Sequence, residues 1–362
     1  TAPSAPSQPS STSAPAGTEP GALFYSKAGS LYVSAPAGTP GRKLTDGPTD
    51  AQPAPSPDLS HVAFVRKTSA SNYGGELWVL DLTEQLAAAG PPRRLVDPAT
   101  LPAGSGESPA MAARPRWSPT GRQVAFVDNP TGGAVSGGIL LIAAADTGAL
   151  MPAVQRLWAA GEFAWAPDGG HIAWVNARSD VRPVDVNALT VGGESTPVVT
   201  GTNAFSVTYD KDGRKILLAN GDASGMDPAT SQFHLRTGGI YSVAASGSGA
   251  DPTALFTKEG SYYNDVAALA SGAVAFTAEG VSGADAGPSK EIRILDAGSS
   301  SPRTLVADVA AAAQGPAWGA GDFVAYLDTS TESTLLVTDL GNNSPQRIDT
   351  GVDSFAWPPR SG

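Results

Sequence analysis

The side chains of this sequence best suited to chemistry are a few carboxylates, tyrosines and one arginine, each placed shortly before a recurrent tight turn. Glu162, Asp265 and Asp353 are the acidic members. Carboxylates of this kind can act as general acids, general bases or metal ligands where they converge. Tyr262 and Tyr263 stand beside Asn264 and Asp265, a run that offers ring surface for stacking next to hydrogen-bonding groups. Gln52, Arg114, Asn203 and Gln314 occupy comparable places. Two readings fit this set: a ligand floor, or a polar lining that hydrates a water-filled channel.

Other chemistries lack their parts. The three histidines fall in different repeat units, so a histidine-based metal centre has no convergent ligands. His61 and His171 share one position just after a turn, which marks them as structural, and His234 reads as a surface residue in a long loop over 221–238. Cysteine is absent, which removes disulfides and thiolate metal sites. Asp210-Lys211-Asp212-Gly213 has part of a calcium-loop pattern but not its closing Glu, and it sits where an Asp-Gly β-turn belongs. Thr131-Gly132-Gly133 lies between strands, with no helix start to bind phosphate. A Gly-x-Ser-x-Gly nucleophile elbow is missing. The sequence points to no metal and no cofactor.

The elements that position these residues recur. Ser56-Pro57-Asp58-Leu59-Ser60-His61-Val62-Ala63-Phe64, Trp117-Ser118-Pro119-Thr120-Gly121-Arg122-Gln123-Val124-Ala125-Phe126 and Trp165-Ala166-Pro167-Asp168-Gly169-Gly170-His171-Ile172-Ala173-Trp174 are near copies. Each ends one strand, turns on Ser-Pro-Asp-Gly chemistry and starts another, and a recurring supersecondary unit means a repeat architecture. The first full unit reads as strands a to d over 51–56, 61–67, 76–82 and 93–97. Later a strands fall at 114–118, 162–166, 205–210, 265–270 and 315–319. Residues 22–44 supply only three strands, while Phe355-Ala356-Trp357-Pro358-Pro359 supplies an a strand and turn with nothing after it. Joining the two ends removes two bare sheet edges. The expectation is an all-β, seven-bladed β-propeller over 21–362, closed by a C-terminal strand a that completes the N-terminal blade. Trp117, Trp165, Trp318 and Trp357 recur at one repeat position and read as inter-blade core.

These turns resemble the TolB C-terminal propeller family, a WD-repeat-like group with a Trp-Ser-Pro-Asp-Gly turn. The likeness is strong around 117 and 165, fair near 55, 209, 318 and 357, and weak near 269. It implies the propeller fold, and a range of jobs that includes periplasmic binding partners, sensor domains and the caps of prolyl oligopeptidase-type serine peptidases.

Long connections gather on one face. The b–c stretches 68–75, 129–137, 221–238 and 279–289 and the d–a stretches 98–113 and 258–264 are long, while the a–b turns are tight. Function concentrates in loops on a rigid scaffold, so this face is the expected working face, with the mouth residues at its centre. The c–d segment 83–92 is the exception and reads as one helical turn at Glu84-Gln85-Leu86-Ala87-Ala88.

Composition narrows the partners. Lys+Arg 23 against Asp+Glu 34 gives a net charge of -11, which repels phosphate backbones and excludes nucleic acid as a natural partner. No apolar run is long enough to span a bilayer. Residues 1–20 are almost wholly Thr, Ala, Pro, Ser, Gly and Gln and read as a disordered tether. That segment resembles the stretch just after the lipidated cysteine of bacterial lipoproteins, particularly actinobacterial ones. The resemblance implies an extracytoplasmic protein, attached to the outer face of a cell membrane only through a lipid anchor ahead of Thr1, and a monomer is the expected state. The leading functional expectation is a non-catalytic propeller that binds a protein or cell-envelope component through the b–c/d–a face. A small-molecule hydrolase or lactonase-like enzyme at the axial mouth and a carbohydrate or peptide sensor are the alternatives.

Overall fold

The computed structural model describes residues 21–69, 73–101, 111–128, 138–151, 158–176, 184–202, 204–226, 233–247, 249–259, 261–280, 290–309, 315–319, 321, 323–330, 332–341 and 344–359. The expected tether, Asn203 and Gln314 lie outside the described residues.

Short strands run β1 (Leu23–Lys27), β2 (Ser30–Ser34), β3 (Arg42–Lys43), β4 (Asp50–Pro55), β5 (His61–Lys67), β6 (Gly75–Asp81) and β7 (Arg93–Arg94). Next come β8 (Ala112–Trp117), β9 (Gln123–Asp128), β10 (Gly138–Ala144), β11 (Trp158–Trp165), β12 (His171–Asn176), β13 (Val184–Thr190) and β14 (Ser195–Thr202). The sequence continues through β15 (Ala204–Tyr209), β16 (Lys215–Met226), β17 (Phe233–Ala244), β18 (Thr253–Glu259), β19 (Ser261–Ala268), β20 (Val274–Gly280), β21 (Lys290–Leu295) and β22 (Arg303–Val309). It ends with β23 (Ala317–Trp318), β24 (Phe323–Asp328), β25 (Thr334–Asp339), β26 (Gln346–Thr350) and β27 (Val352–Ala356).

All ladders between these strands are antiparallel. Four sheets have four strands each: β27-β1-β2-β3, β15 to β18, β19 to β22 and β23 to β26. Strands β4 to β14 form one eleven-stranded sheet, because Gly75 pairs with Ala112 and Gly138–Ile139 pair with Trp158–Ala159. The fold is a β-propeller of six or more blades.

Alternation explains why the second strand of each unit is buried along its length. In β9, Val124 and Phe126 enter one apolar cluster, while Ala125 and Val127 enter the next. Successive side chains of a strand point to opposite faces, so a sheet packed on both sides needs apolar residues at every position. The turns between first and second strands need a left-handed residue, and Gly121, Gly169 and Gly213 supply it at φ 69°, 69° and 70°. Ser56 and Ser118 cap these turns by accepting from the N–H of His61 (3.0 Å) and Gln123 (3.2 Å).

Three of the four recurrent tryptophans hold neighbouring units together. Trp117 Nε1 donates to the Ala54 carbonyl (2.7 Å), Trp165 Nε1 to Arg116 (3.1 Å) and Trp357 Nε1 to Ala317 (3.1 Å). The His61 ring stacks on Trp117 at 5.9 Å while its Nδ1 lies 2.9 Å from Asp81, a structural placement.

The two ends of the chain meet. Phe24, Tyr25 and Ser26 pair with Ala356, Phe355 and Ser354, as the interrupted repeat requires. Side chains reinforce the joint: Tyr25 donates to Asp349 Oδ2 (2.9 Å), and the Lys27 ammonium lies 2.6 Å from Asp349 Oδ1. Burial alone would raise the Asp349 carboxyl. The Lys27 ammonium, the Thr350 N–H and the Tyr25 hydroxyl outweigh it and hold the group below its ordinary 3.8. A depressed folded-state value contributes stability above the unfolded value, and that contribution is lost as pH falls through the folded one. Asp349→Asn is therefore expected to unfold at lower denaturant than the native protein near neutrality. The gap should narrow below about pH 4, as paired denaturation curves would show.

Three expectations change. Residues 83–92 form no helical turn. Thr83 N donates to Ala87 O and Ala89 N to Asp81 O, and Leu86 at φ 58° closes a β-turn. Much of the stretch 221–238 is strand, not loop: β16 runs to Met226 and β17 starts at Phe233, so His234 lies in β17. The two pair with two register shifts as far as Met226–Phe233, while 227–232 lie outside the described residues. Nor is 258–264 a long connection, since β18 runs to Glu259 and β19 starts at Ser261. Pairing satisfies the backbone of both stretches better than a loop would.

Candidate functional site

The first strand of each unit lies innermost, and its start carries the candidate residues. Neighbouring inner strands touch in order: β27 with β4, β4 with β8, β11 with β15, and β15 with β19. Arg114 on β8 bonds Glu162 on β11. Gly315, just before β23, leaves no room for a Cβ beside the Asp265 carboxylate of β19. Trp357, just after β27, bonds the Ala317 carbonyl of β23 and so completes the circuit.

Six inner strands, β4, β8, β11, β15, β19 and β27, slip register near their starts, while the two-residue β23 does not. Bulges fall between Ala51 and Ala54, Ala113 and Arg116, Ala159 and Phe163, Ala204 and Ser206, and Asn264 and Ala267. A bulge turns one side chain out of the ladder. At Gln52, Arg114 and Asp265 it also forces φ to 52°, 55° and 50°. A left-handed conformation costs a non-glycine residue about 1–3 kcal/mol, and such strain gathers at functional sites.

Two polar clusters result. In the first, Arg114 Nε donates to the Tyr73 hydroxyl (2.9 Å) and Nη1 to Glu162 (3.4 Å). Arg116 Nη2 reaches the other Glu162 oxygen (3.2 Å), its Nη1 bonds the Phe163 carbonyl, and its guanidinium lies over the Phe163 ring. Burial opposes the charge on Arg114. Tyr73, Glu162 and Asp265 outweigh it and raise the guanidinium above its ordinary value. Gln52 links the cluster backwards, accepting from Arg114 N (2.6 Å) and donating to the Tyr73 carbonyl (2.8 Å).

In the second cluster Asp265 accepts from the Thr277 hydroxyl (2.8 Å) and pairs with Lys290 at 3.3 Å. Lys290 also lies 3.5 Å from Glu279. Beside it the Tyr262 ring packs on Phe205 with centroids 4.3 Å apart, both rings half-buried. Asn264 is half-buried and pairs in register with Thr277.

Tyr263 stands apart from the mouth. Its ring is fully buried, edge-on to Phe256 and Phe276, so it is core and offers no stacking face. Asp353 joins neither cluster. Loss of surrounding water raises its carboxyl, against the pull of Lys67 and the Ala28 N–H. Among the described residues, no group of three or more histidines, cysteines and carboxylates is arranged to hold a metal ion.

Tyr73, Arg116, Thr277, Glu279, Lys290, Ser206 and Ser354 escaped the reading of the sequence. Two of them had a signal. Ser354, Gln52, Arg114, Glu162 and Ser206 all stand three residues before the position that ends the inner strand (Pro55, Trp117, Trp165, Tyr209) or directly follows it (Trp357).

No family model and no curated protein matches this sequence. Solved structures share its fold. The tricorn protease aligns with a TM-score of 0.60 at 10% identity, over 92% of this chain and 33% of its own. TolB from Acinetobacter baumannii aligns at 0.56 and 13% identity, over 95% of this chain and 81% of its own. The β-propeller domain of the Trilobed protease from Pyrococcus furiosus aligns at 0.53 and 15% identity, over 87% of both chains. That propeller has an open velcro topology, whereas this chain pairs β27 with β1. The chain spans only a third of the tricorn protease, and at these identities the likeness is one of fold.

Proposed function

We propose that this chain is a non-catalytic, extracytoplasmic propeller of seven blades. On this reading it binds a protein or cell-envelope partner through its b–c/d–a face, with the axial mouth at the centre of contact. The eleven-stranded sheet then counts as three blades, β4–β7, β8–β10 and β11–β14, beside the four separate sheets. The observation that carries the reading is the engagement of the mouth carboxylates. Glu162 is held by Arg114 and Arg116, and Asp265 by Lys290 and Thr277. A general acid or base must exchange protons freely with a substrate, whereas a fixed network of opposite charges suits recognition. The half-buried Phe205–Tyr262 pair adds ring surface of the kind that anchors interfaces.

The chain ends support the same orientation. Leu23 and Ala356 begin and end their strands on the side of the a–b turns, opposite the mouth. A tether over residues 1–20 would therefore leave the mouth facing outward. No helix among the described residues is long and apolar enough to cross a membrane.

The test is crosslinking in the native envelope followed by mass spectrometry, comparing native protein with Tyr262→Ala and Arg116→Ala. Each variant is expected to lower recovery of the crosslinked partner about tenfold, the effect of a central anchor, while thermal unfolding stays unchanged. Equal recovery from native and variant proteins would reject the mouth as the contact surface.

A further inference from the structure

One run of hydrogen bonds leads from the pair of strands that closes the ring into the mouth. Ser26 on β1 and Ser354 on β27 are register partners whose hydroxyls lie 2.7 Å apart. Ser354 Oγ accepts from the N–H of Gln52 (2.9 Å), and Gln52 Oε1 accepts from the N–H of Arg114 (2.6 Å). Gln52 and Arg114 are the two residues of this run in the left-handed region. That conformation swings an N–H out of its ladder, and here each freed N–H meets a side-chain oxygen from the preceding inner strand. A related bond occurs one residue after the left-handed Asp265, where Val266 N donates to Ser206 Oγ (3.0 Å). Gln52 also holds the Tyr73 carbonyl, and the Tyr73 hydroxyl receives Arg114 Nε. Backbone and side chain of Arg114 are thus fixed from one side by one residue.

We propose that Ser354 and Gln52 are positioning residues for the mouth. They hold Arg114 in its strained conformation and so aim its guanidinium at Tyr73 and Glu162. Seating of the closing strand β27 thereby sets the geometry of the recognition surface. The inference rests on the binding reading only for its use; the geometric claim can be tested without a partner.

The test uses the full chain with isotope-labelled arginine. The Arg114 Nε–H resonance is identified by its loss in Arg114→Lys, and its exchange with water is followed by NMR. Ser354→Ala and Gln52→Ala are each expected to speed that exchange about tenfold, the effect of one lost hydrogen bond, while Ser354→Thr keeps the native rate. Ser34→Ala is the control. Ser34 is also buried in the same sheet, but among the described residues its hydroxyl bonds Pro36, Gly38 and Thr39 and none of the Arg114 run. Native exchange in both alanine variants, or equal acceleration by Ser34→Ala, would overturn the assignment. Should Ser354→Ala not fold, Gln52→Ala carries the decision, since its side chain is half-buried and outside the core. Loss of partner recovery with unaltered Arg114 exchange would count against the positioning role and leave the binding reading standing.

Discussion

A chain ending at Gly351 is expected to lose most of its stability and to aggregate. The truncation removes β27 and Trp357, and with them Val352, Phe355 and Trp357 from the cluster that also contains Leu23, Tyr25, Ala325, Leu335 and Val337. Phe355 is 2% exposed and Trp357 7%. Loss of a buried Phe or Trp side chain costs about 3–5 kcal/mol each, and the pair alone approaches the 5–15 kcal/mol that holds a typical domain together. The cut also strips β1 of one of its two partners and bares a sheet edge, the usual template for association between chains. Size-exclusion chromatography and thermal unfolding would follow the effect. A monomer that melts at the native temperature would mean that the closing strand is not a stability element.

Asp50→Ala is expected to be the most damaging single substitution outside the apolar core. Asp50 is fully buried at the start of β4 and takes both Arg66 Nε (2.7 Å) and Nη2 (3.0 Å). The Arg66 guanidinium lies 4.3 Å from the Trp78 ring centroid, and the Gly47 backbone is so close that a Cβ there would strike the Asp50 carboxylate at 2.4 Å. Removing one partner leaves a charge without compensation in a packed site, at about 3–5 kcal/mol. Arg66 keeps some access to water, so the lower end of that range is expected. The double variant Asp50→Ala, Arg66→Met should recover much of the loss, because apolar replacement of a buried pair is often neutral. Denaturant midpoints of the single and double variants form the cycle that measures this. A single-variant loss under about 1 kcal/mol would show that the pair is not needed.

The joint between the chain ends was legible because repeats impose one local pattern everywhere. Phe355-Ala356-Trp357-Pro358-Pro359 carries the aromatic strand end and turn of the other units without the strand that should come next. A backbone edge must find a partner, so the missing half could be sought at the other terminus. Trp117 and Trp357 could likewise be placed in the core from their spacing, while Trp165 and Trp318 at the same repeat position are half-buried against it.

The site was legible in part. Arg114 and Glu162, chosen as candidate residues of one mouth, form an ion pair at 3.4 Å. Gln52 joins them through Arg114 N, but Asp353 does not. Tyr262 and Tyr263 were treated as a pair, yet adjacent residues of a strand face opposite sides, so one of the two had to enter the core. Which one was set by the bulge between Asn264 and Ala267, a register slip that composition does not signal. Long connections invited the same error, since 221–238 is rich in glycine but lies largely within paired strands.

By itself, the sequence determined the class of the fold, its repeats, the meeting of its ends and the lack of any thiol. These come from local rules of turn residues, alternation and side-chain inventory, which act wherever the pattern recurs. Tertiary structure alone decided that Tyr73, Lys290 and Arg116 complete the polar clusters, and that Ser354 reaches Arg114 through Gln52. Those contacts join residues from different units, and their geometry is set by register slips that arise only once the inner strands are packed side by side.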